Sequence, residues 1–176
     1  NRLGASALMQ GLADGYFVAP STVAGYLSGL LGTTPMATDE PVFNEAISES
    51  QSRIDELMAV QGTGTVDHYH RELGKIIWDY CGMSRNKAGL QKALTEIPPL
   101  REEFWRNVRI PGDPNGWNQS LEKALRVADF MEMAELKVRD ALHREESCGG
   151  HFREESHTEG GEAKRDDDAF SYVAAW

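Results

Sequence analysis

Val66-Asp67-His68-Tyr69-His70-Arg71-Glu72-Leu73-Gly74-Lys75-Ile76-Ile77-Trp78-Asp79-Tyr80 decides the fold class. Val66, Tyr69, Leu73, Ile76 and Tyr80 recur at intervals of 3, 4, 3 and 4, the period of one face of an α-helix. A helix over 65–81 follows, with Gly82 placed as its C-terminal stop. Downstream, Ser84 or Asn86 caps a second helix whose stripe runs Leu90, Leu94, Ile97, Phe104 and Val108. That stripe stays in phase through Pro98-Pro99. Pro98 cannot donate to the Leu94 carbonyl, so a kinked helix or two helices end to end are expected. Ile110 to Gly116 reads as a turn. A third helix follows over about 118–143, with Leu121, Ala124, Ala128, Met131, Ala134, Val138 and Ala141 on its face. Leu125, Phe130, Met133 and Leu136 widen that face beyond a single seam. Three long amphipathic helices with short links predict an all-α protein built on an antiparallel three-helix bundle over residues 65–145.

Flanking segments extend this frame. Residues 40–61 form a helix candidate with Pro41 in its first turn, and Phe43, Ile47, Ile54 and Leu57 at helical spacing. Residues 5–17 and 22–31 read as two shorter helices, separated at Pro20 with Ser21 as cap, and Gly32 to Thr38 is a linker. From Glu146 to Asp168 the chain is polar, Gly-rich and acidic, and the run at Asp166-Asp167-Asp168 is a solvated surface. Phe170 to Trp176 reads as a short strand that lacks a partner within the sequence.

Composition narrows the function classes. A formal net charge of −10 argues against nucleic acid and against an anionic membrane surface. No segment approaches the roughly 20 apolar residues of a membrane span, and no signal peptide is visible. Cys81 and Cys148 lack C-x-x-C spacing and are expected as reduced thiols. His68 and His70, at i and i+2, fall on different helix faces. His151 and His157 flank Cys148 without a zinc spacing, so no metal site is expected.

The N-terminus carries the candidate binding chemistry. In Asn1-Arg2-Leu3-Gly4-Ala5-Ser6-Ala7-Leu8, a guanidinium precedes a run in which 7 of the 12 residues from Gly4 to Gly15 are Gly, Ala or Ser. Arg grips carboxylates bidentately, and a helix beginning near Gly4 would aim its free N–H groups at the same place. The plainer alternative is a small-residue helix packed closely on another helix.

Asn1-Arg2-Leu3-Gly4-x-x-x-Leu8 resembles the signature near the end of the flavin domain in the succinate dehydrogenase/fumarate reductase flavoprotein family. Glu146-Ser147-Cys148-Gly149-Gly150-His151-Phe152-Arg153-Glu154-Glu155 resembles that family's Glu-Ser-Arg-Gly-Ala-His-x-Arg-Glu-Asp element. Asn118-Gln119-Ser120-Leu121-Glu122 and the helix after it also fit the family's C-terminal region. The resemblance implies a spectrin-repeat-like bundle within a helical domain at 38–145, after a remnant of the FAD-binding domain at 1–37. A docking loop and strand at 146–176 would follow. It implies FAD in the parent chain, with Arg2 on a carboxylate of the dicarboxylate substrate and Ala7 and Leu8 against the flavin edge through backbone groups. It further implies succinate–fumarate interconversion by hydride transfer, and electron delivery to an iron–sulphur subunit. A membrane anchor subunit would hold that assembly on the cytoplasmic side of the inner membrane. Soluble aspartate oxidases share the family's chemistry and are the enzymatic alternative; a helical interaction module is the non-enzymatic one. Ser6 and Ala7 replace the family's usual Asn and Ser, and Cys148 replaces its Arg. No G-x-G-x-x-G and no initiator Met are present, so a C-terminal fragment without turnover or bound FAD of its own is expected. No catalysis is assigned to His151, whose loop is read as structural.

Overall fold

The computed structural model describes residues 4–172 and 174–176, without the side chains of residues 4–6. The chain divides into two compact units between Ala46 and Ile47.

The first unit is a nearly unbroken helical run. Helix α1 (Gly4–Ala13) passes through a π-helical turn at Asp14–Val18 into α2 (Ala19–Leu27), closed by a 3₁₀ turn at Ser28–Leu30. Pro20 was expected to separate two helices, with Ser21 capping the second. Instead the run continues. The Ala19 N–H bonds to the Asp14 carbonyl in π register, and Pro20 falls in the first turn of α2, where no N–H partner is required. Asp14 is the sole charged residue between Gly4 and Thr38. Yet Leu8, Tyr16, Phe17, Tyr26 and Leu31 are each more than 70% exposed.

Helix α3 (Pro41–Ala59) crosses the division between the units. Its second half carries the buried Leu57, with Ile54 and Met58 packed beside it on the core of the second unit. Three helices build that core: α4 (Val66–Tyr80), α5 (Lys87–Asn107) and α6 (Gln119–His143). Their N-termini are capped by side chains. Thr65 Oγ1 accepts from His68 N–H, Asn86 Oδ1 from Gly89 N–H and Asn118 Oδ1 from Leu121 N–H. Asn86, rather than Ser84, caps α5. Helix α5 runs without interruption through Pro98 and Pro99. Ile97, one residue before the pair, is fully buried, so packing holds the helix where two backbone hydrogen bonds are missing.

Two pairs of two-residue strands tie the helix ends. β1 (Gly64–Thr65), before α4, pairs in parallel with β3 (Val108–Arg109), after α5. β2 (Ser84–Arg85), before α5, pairs with β4 (Phe152–Arg153), after α6. Each helix thus begins where the next one ends, and consecutive helices are antiparallel. Tyr69, Leu73, Leu90, Ile97, Phe104, Met131 and Val138 fill the interior. The Tyr69 and Phe104 rings meet edge to face at 5.4 Å. Every face position expected on α6 is buried. Of the four widening residues, Phe130, Met133 and Leu136 remain exposed.

The strand expected at Phe170 to Trp176 does not form among the described residues. Asp166 instead caps a single helical turn, α7 (Asp167–Phe170), through Ala169 N–H. A lone strand has no ladder partner. The aromatic side chains gather around His143, with Phe170, Tyr172 and Trp176 ring centres 6.1, 6.3 and 5.3 Å from the imidazole.

Candidate functional site

Arg2 lies outside the described residues. Of the other two residues expected at a site, Ala7 is half-buried and Leu8 exposed, both on α1. The first turn of α1 has no acidic side chain, and helix geometry leaves its leading N–H groups without intrahelical acceptors. Small residues and unmet donors fit the electron-rich edge of a flavin ring. The described residues supply nothing that fits its adenine end.

The loop after α6 is built as a clasp. Arg153 is 2% exposed, although it carries a full charge. Its guanidinium donates to the carbonyls of Ala141, Leu142 and Arg144 at 3.0, 3.2 and 3.3 Å, and to Glu155 at 3.0 Å. It therefore completes the C-terminal turn of α6, where carbonyls lack partners and the dipole favours a cation. Ser147 Oγ accepts from Arg153 N–H at 2.8 Å. Cys148 and His151 exchange backbone hydrogen bonds across Gly149-Gly150, and Gly149 takes the turn at φ 61°. On the other side, Glu154 accepts from Ser84 and Asn86, and Glu155 from Lys87 N–H at the start of α5. The loop thus fastens the beginning of α5 to the end of α6.

His151 sits at the centre of the clasp. Its Nδ1 lies 2.8 Å from the Arg85 guanidinium and its Nε2 2.9 Å from the Arg144 carbonyl. Burial lowers its pKa, and Arg85, Arg153 and Arg144 add to that against the opposing hydrogen bond to the Arg144 carbonyl. Burial pushes Glu146 and Glu155 upward. Backbone N–H donors together with Arg144 and Arg153 outweigh it and hold both below the usual carboxylate range. Replacing the family's Arg with Cys148 leaves none of Glu146, Glu154 or Glu155 without a partner. Arg85, the partner of His151, escaped the sequence reading. The signal available was a lone cation in Met83-Ser84-Arg85-Asn86 between two helices, opposite an acidic pair far downstream.

Two cavities open on the second unit. One of about 840 Å³ lies where α4 and α6 begin, lined by Thr65, Asp67, Arg109, Trp117, Ser120 and Lys123 among others. Its acids, Asp67 and Glu122, are paired with Lys123 and Arg126. The other, about 230 Å³, is lined by Asp140, His143, Arg144, Phe170, Tyr172 and Ala174. In the second, the Tyr172 hydroxyl lies 2.7 Å from His143 Nε2. His68 and His70 are exposed, and Cys81 and Cys148 are free thiols. Among the described residues no three His, Cys, Asp or Glu side chains could hold a metal ion, and no helix is long and apolar enough to cross a membrane.

Residues 70–176 match the family described as fumarate reductase flavoprotein C-term, which takes in α5, α6, the clasp and most of α4. The chain belongs to the fumarate reductase flavoprotein C-terminal family. The fumarate reductase flavoprotein subunit of Haemophilus influenzae is 23% identical over 153 residues, covering 87% of this chain and 24% of that protein. An L-aspartate oxidase of Synechocystis is 26% identical over 136 residues, covering 70% and 24%. Among solved structures, an Escherichia coli quinol fumarate reductase superposes with a TM-score of 0.60 at 24% identity, over 78% of this chain and 23% of that one, which supports the fold. The chain spans about a quarter of the length of the curated relatives it matches. In this flavoprotein family member, the clasp is the second of the two sequence motifs, and it does a structural job.

Proposed function

We propose that the chain is the C-terminal part of a flavoprotein subunit that interconverts succinate and fumarate. The family match over residues 70–176 carries this reading. Bound FAD supplies the hydride acceptor. Arg2 grips one carboxylate of the C4 diacid, where a planar fork fixes orientation as well as charge. The backbone of Ala7 and Leu8, in the first turns of α1, would lie against the flavin edge, where the positive end of the helix dipole favours negative charge. Ala7 offers backbone contact only, having no hydroxyl. Electrons pass to an iron–sulphur subunit, and an anchor subunit holds the assembly at the cytoplasmic face of the inner membrane. The 176 residues alone have no turnover.

The test uses the full-length parent protein. Arg2→Lys keeps the flavin absorbance and raises KM for succinate at least about tenfold, as expected when a bidentate pair becomes a point charge. An unchanged KM with an intact flavin spectrum overturns the role of Arg2, and a colourless parent overturns the whole reading. The likeness to L-aspartate oxidase supports a second reading, oxidation of an amino diacid without an iron–sulphur partner. Reduction of the flavin by L-aspartate but not by succinate would select it.

A further inference from the structure

We propose that His151 is the acid-sensitive pin of a latch joining the start of α5 to the end of α6, independently of the flavin reading. The imidazole is 2% exposed. Arg85 can only donate and the Arg144 carbonyl can only accept, so the ring is neutral with its proton on Nε2. A second proton on Nδ1 turns the acceptor into a donor facing a donor. The charged groups around the ring are all cationic: Arg85 from β2, Arg144 from the end of α6 and Arg153 from β4. The clasp carboxylates are turned to other partners. Glu146 is held by Arg144 and Asp166 N–H, Glu154 by Ser84 and Asn86, and Glu155 by Arg153 and Lys87 N–H. Among the described residues no carboxylate hydrogen-bonds to the ring to receive an imidazolium. Protonation expels Arg85, and with it goes the pairing of Ser84-Arg85 with Phe152-Arg153 and the Glu154 N–H bond to the Arg85 carbonyl.

The direction of the pH effect follows. Burial and three guanidiniums hold the folded pKa of His151 below its ordinary 6.5. Its contribution to latch closure is complete above about 6.5 and is lost as pH falls toward the depressed folded value. Glu146 and Glu155 sit below 4.5 and stay ionised through that window. Of these three groups, His151 is therefore the one that takes up a proton on opening through that window. Such a device couples local acidity to the hold of residues 146–156 on the bundle.

Hydrogen exchange on the 176-residue chain tests this, corrected for the intrinsic pH dependence of exchange. Protection at the amides of His151, Arg153 and Glu154 is expected to fall about tenfold per pH unit below about 6.5, while amides around Met131 hold theirs. In His151→Gln, whose side chain also accepts and donates but does not titrate, the fall is absent. Nitrogen shifts of the His151 ring in the unmodified chain give a second readout that needs no variant: proton on Nε2 at neutral pH, titrating below 6.5. Protection that ignores pH, an equal slope in His151→Gln, or a ring protonated on Nδ1 at neutral pH each overturns the latch.

Discussion

Arg153 concentrates the energetics of the clasp in one side chain. It is buried to 2%, and its guanidinium serves three carbonyls at the end of α6. Replacing it by Met removes the guanidinium from the Ala141 and Leu142 carbonyls inside a closed loop, while the Arg144 carbonyl keeps His151 and Glu155 keeps Lys87 N–H. Breaking a buried charge network in this way costs about 3–5 kcal/mol. Lys keeps the charge but cannot fork across three acceptors, and the loss should be about 1–3 kcal/mol. Urea unfolding of Arg153→Met and Arg153→Lys measures both; equal stability for wild type and Met would show that the clasp contributes nothing to the fold. The same position illustrates what sequence reading reached. The motif around Arg153 was legible, and so was its structural character. The acceptors were not, because they lie on a helix end that only tertiary packing brings to the loop.

Elements were legible where apolar periodicity is long and where caps are chemical. The stripe from Val66 to Tyr80 and the cap at Asn86, one of two candidates, act locally and were legible; Thr65 and Asn118 cap their helices by the same mechanism but were not singled out. The π turn before Pro20 and the one-turn helix at Asp167–Phe170 were not legible, since both depend on competition between neighbouring registers. The two-residue strands were invisible for the same reason: they exist only because helix ends meet. Glycine positions expose this difference. A Cβ on Gly62 would fall inside the contact distance of the Asn107 carbonyl, where the chain entering β1 crosses the end of α5. Gly74 faces open space in the middle of α4. Gly62→Ala should therefore destabilise by about 3 kcal/mol or more, and Gly74→Ala should stabilise by about 0.5–1 kcal/mol. Thermal unfolding of the two variants in opposite directions is the expected result. Between helices, Glu135 of α6 joins Arg101 of α5 and Arg139 of its own helix at 2.8 and 2.6 Å. Arg139 chiefly, and then Arg101, hold its carboxyl below the usual 4.5 against the effect of burial. This contribution is present above 4.5 and is lost as pH falls through the folded value. Glu135→Gln should cost about 1.5–3 kcal/mol at neutral pH, and the difference should shrink as pH falls below 4.5 through the folded value, so that denaturation curves of the two proteins converge in acid.

At the scale of the whole molecule, the two units differ in how they satisfy their apolar surface. Among the described residues, the apolar core runs from Ile54 onward and lies within the second unit. The first unit has one charged residue from Gly4 to Thr38 and displays Leu8, Tyr16, Phe17, Tyr26 and Leu31 outward. A surface of that composition is expected against protein, and in the 176-residue chain taken alone it drives association. Residues 47–176 alone should then be a monomer whose thermal midpoint and cooperativity match those of the longer chain, because the described core residues all lie between Ile54 and Leu142. Light scattering and calorimetry on residues 47–176 check both halves of this expectation. A bundle that fails to fold without residues 1–46 would mean that its stability depends on the first unit after all.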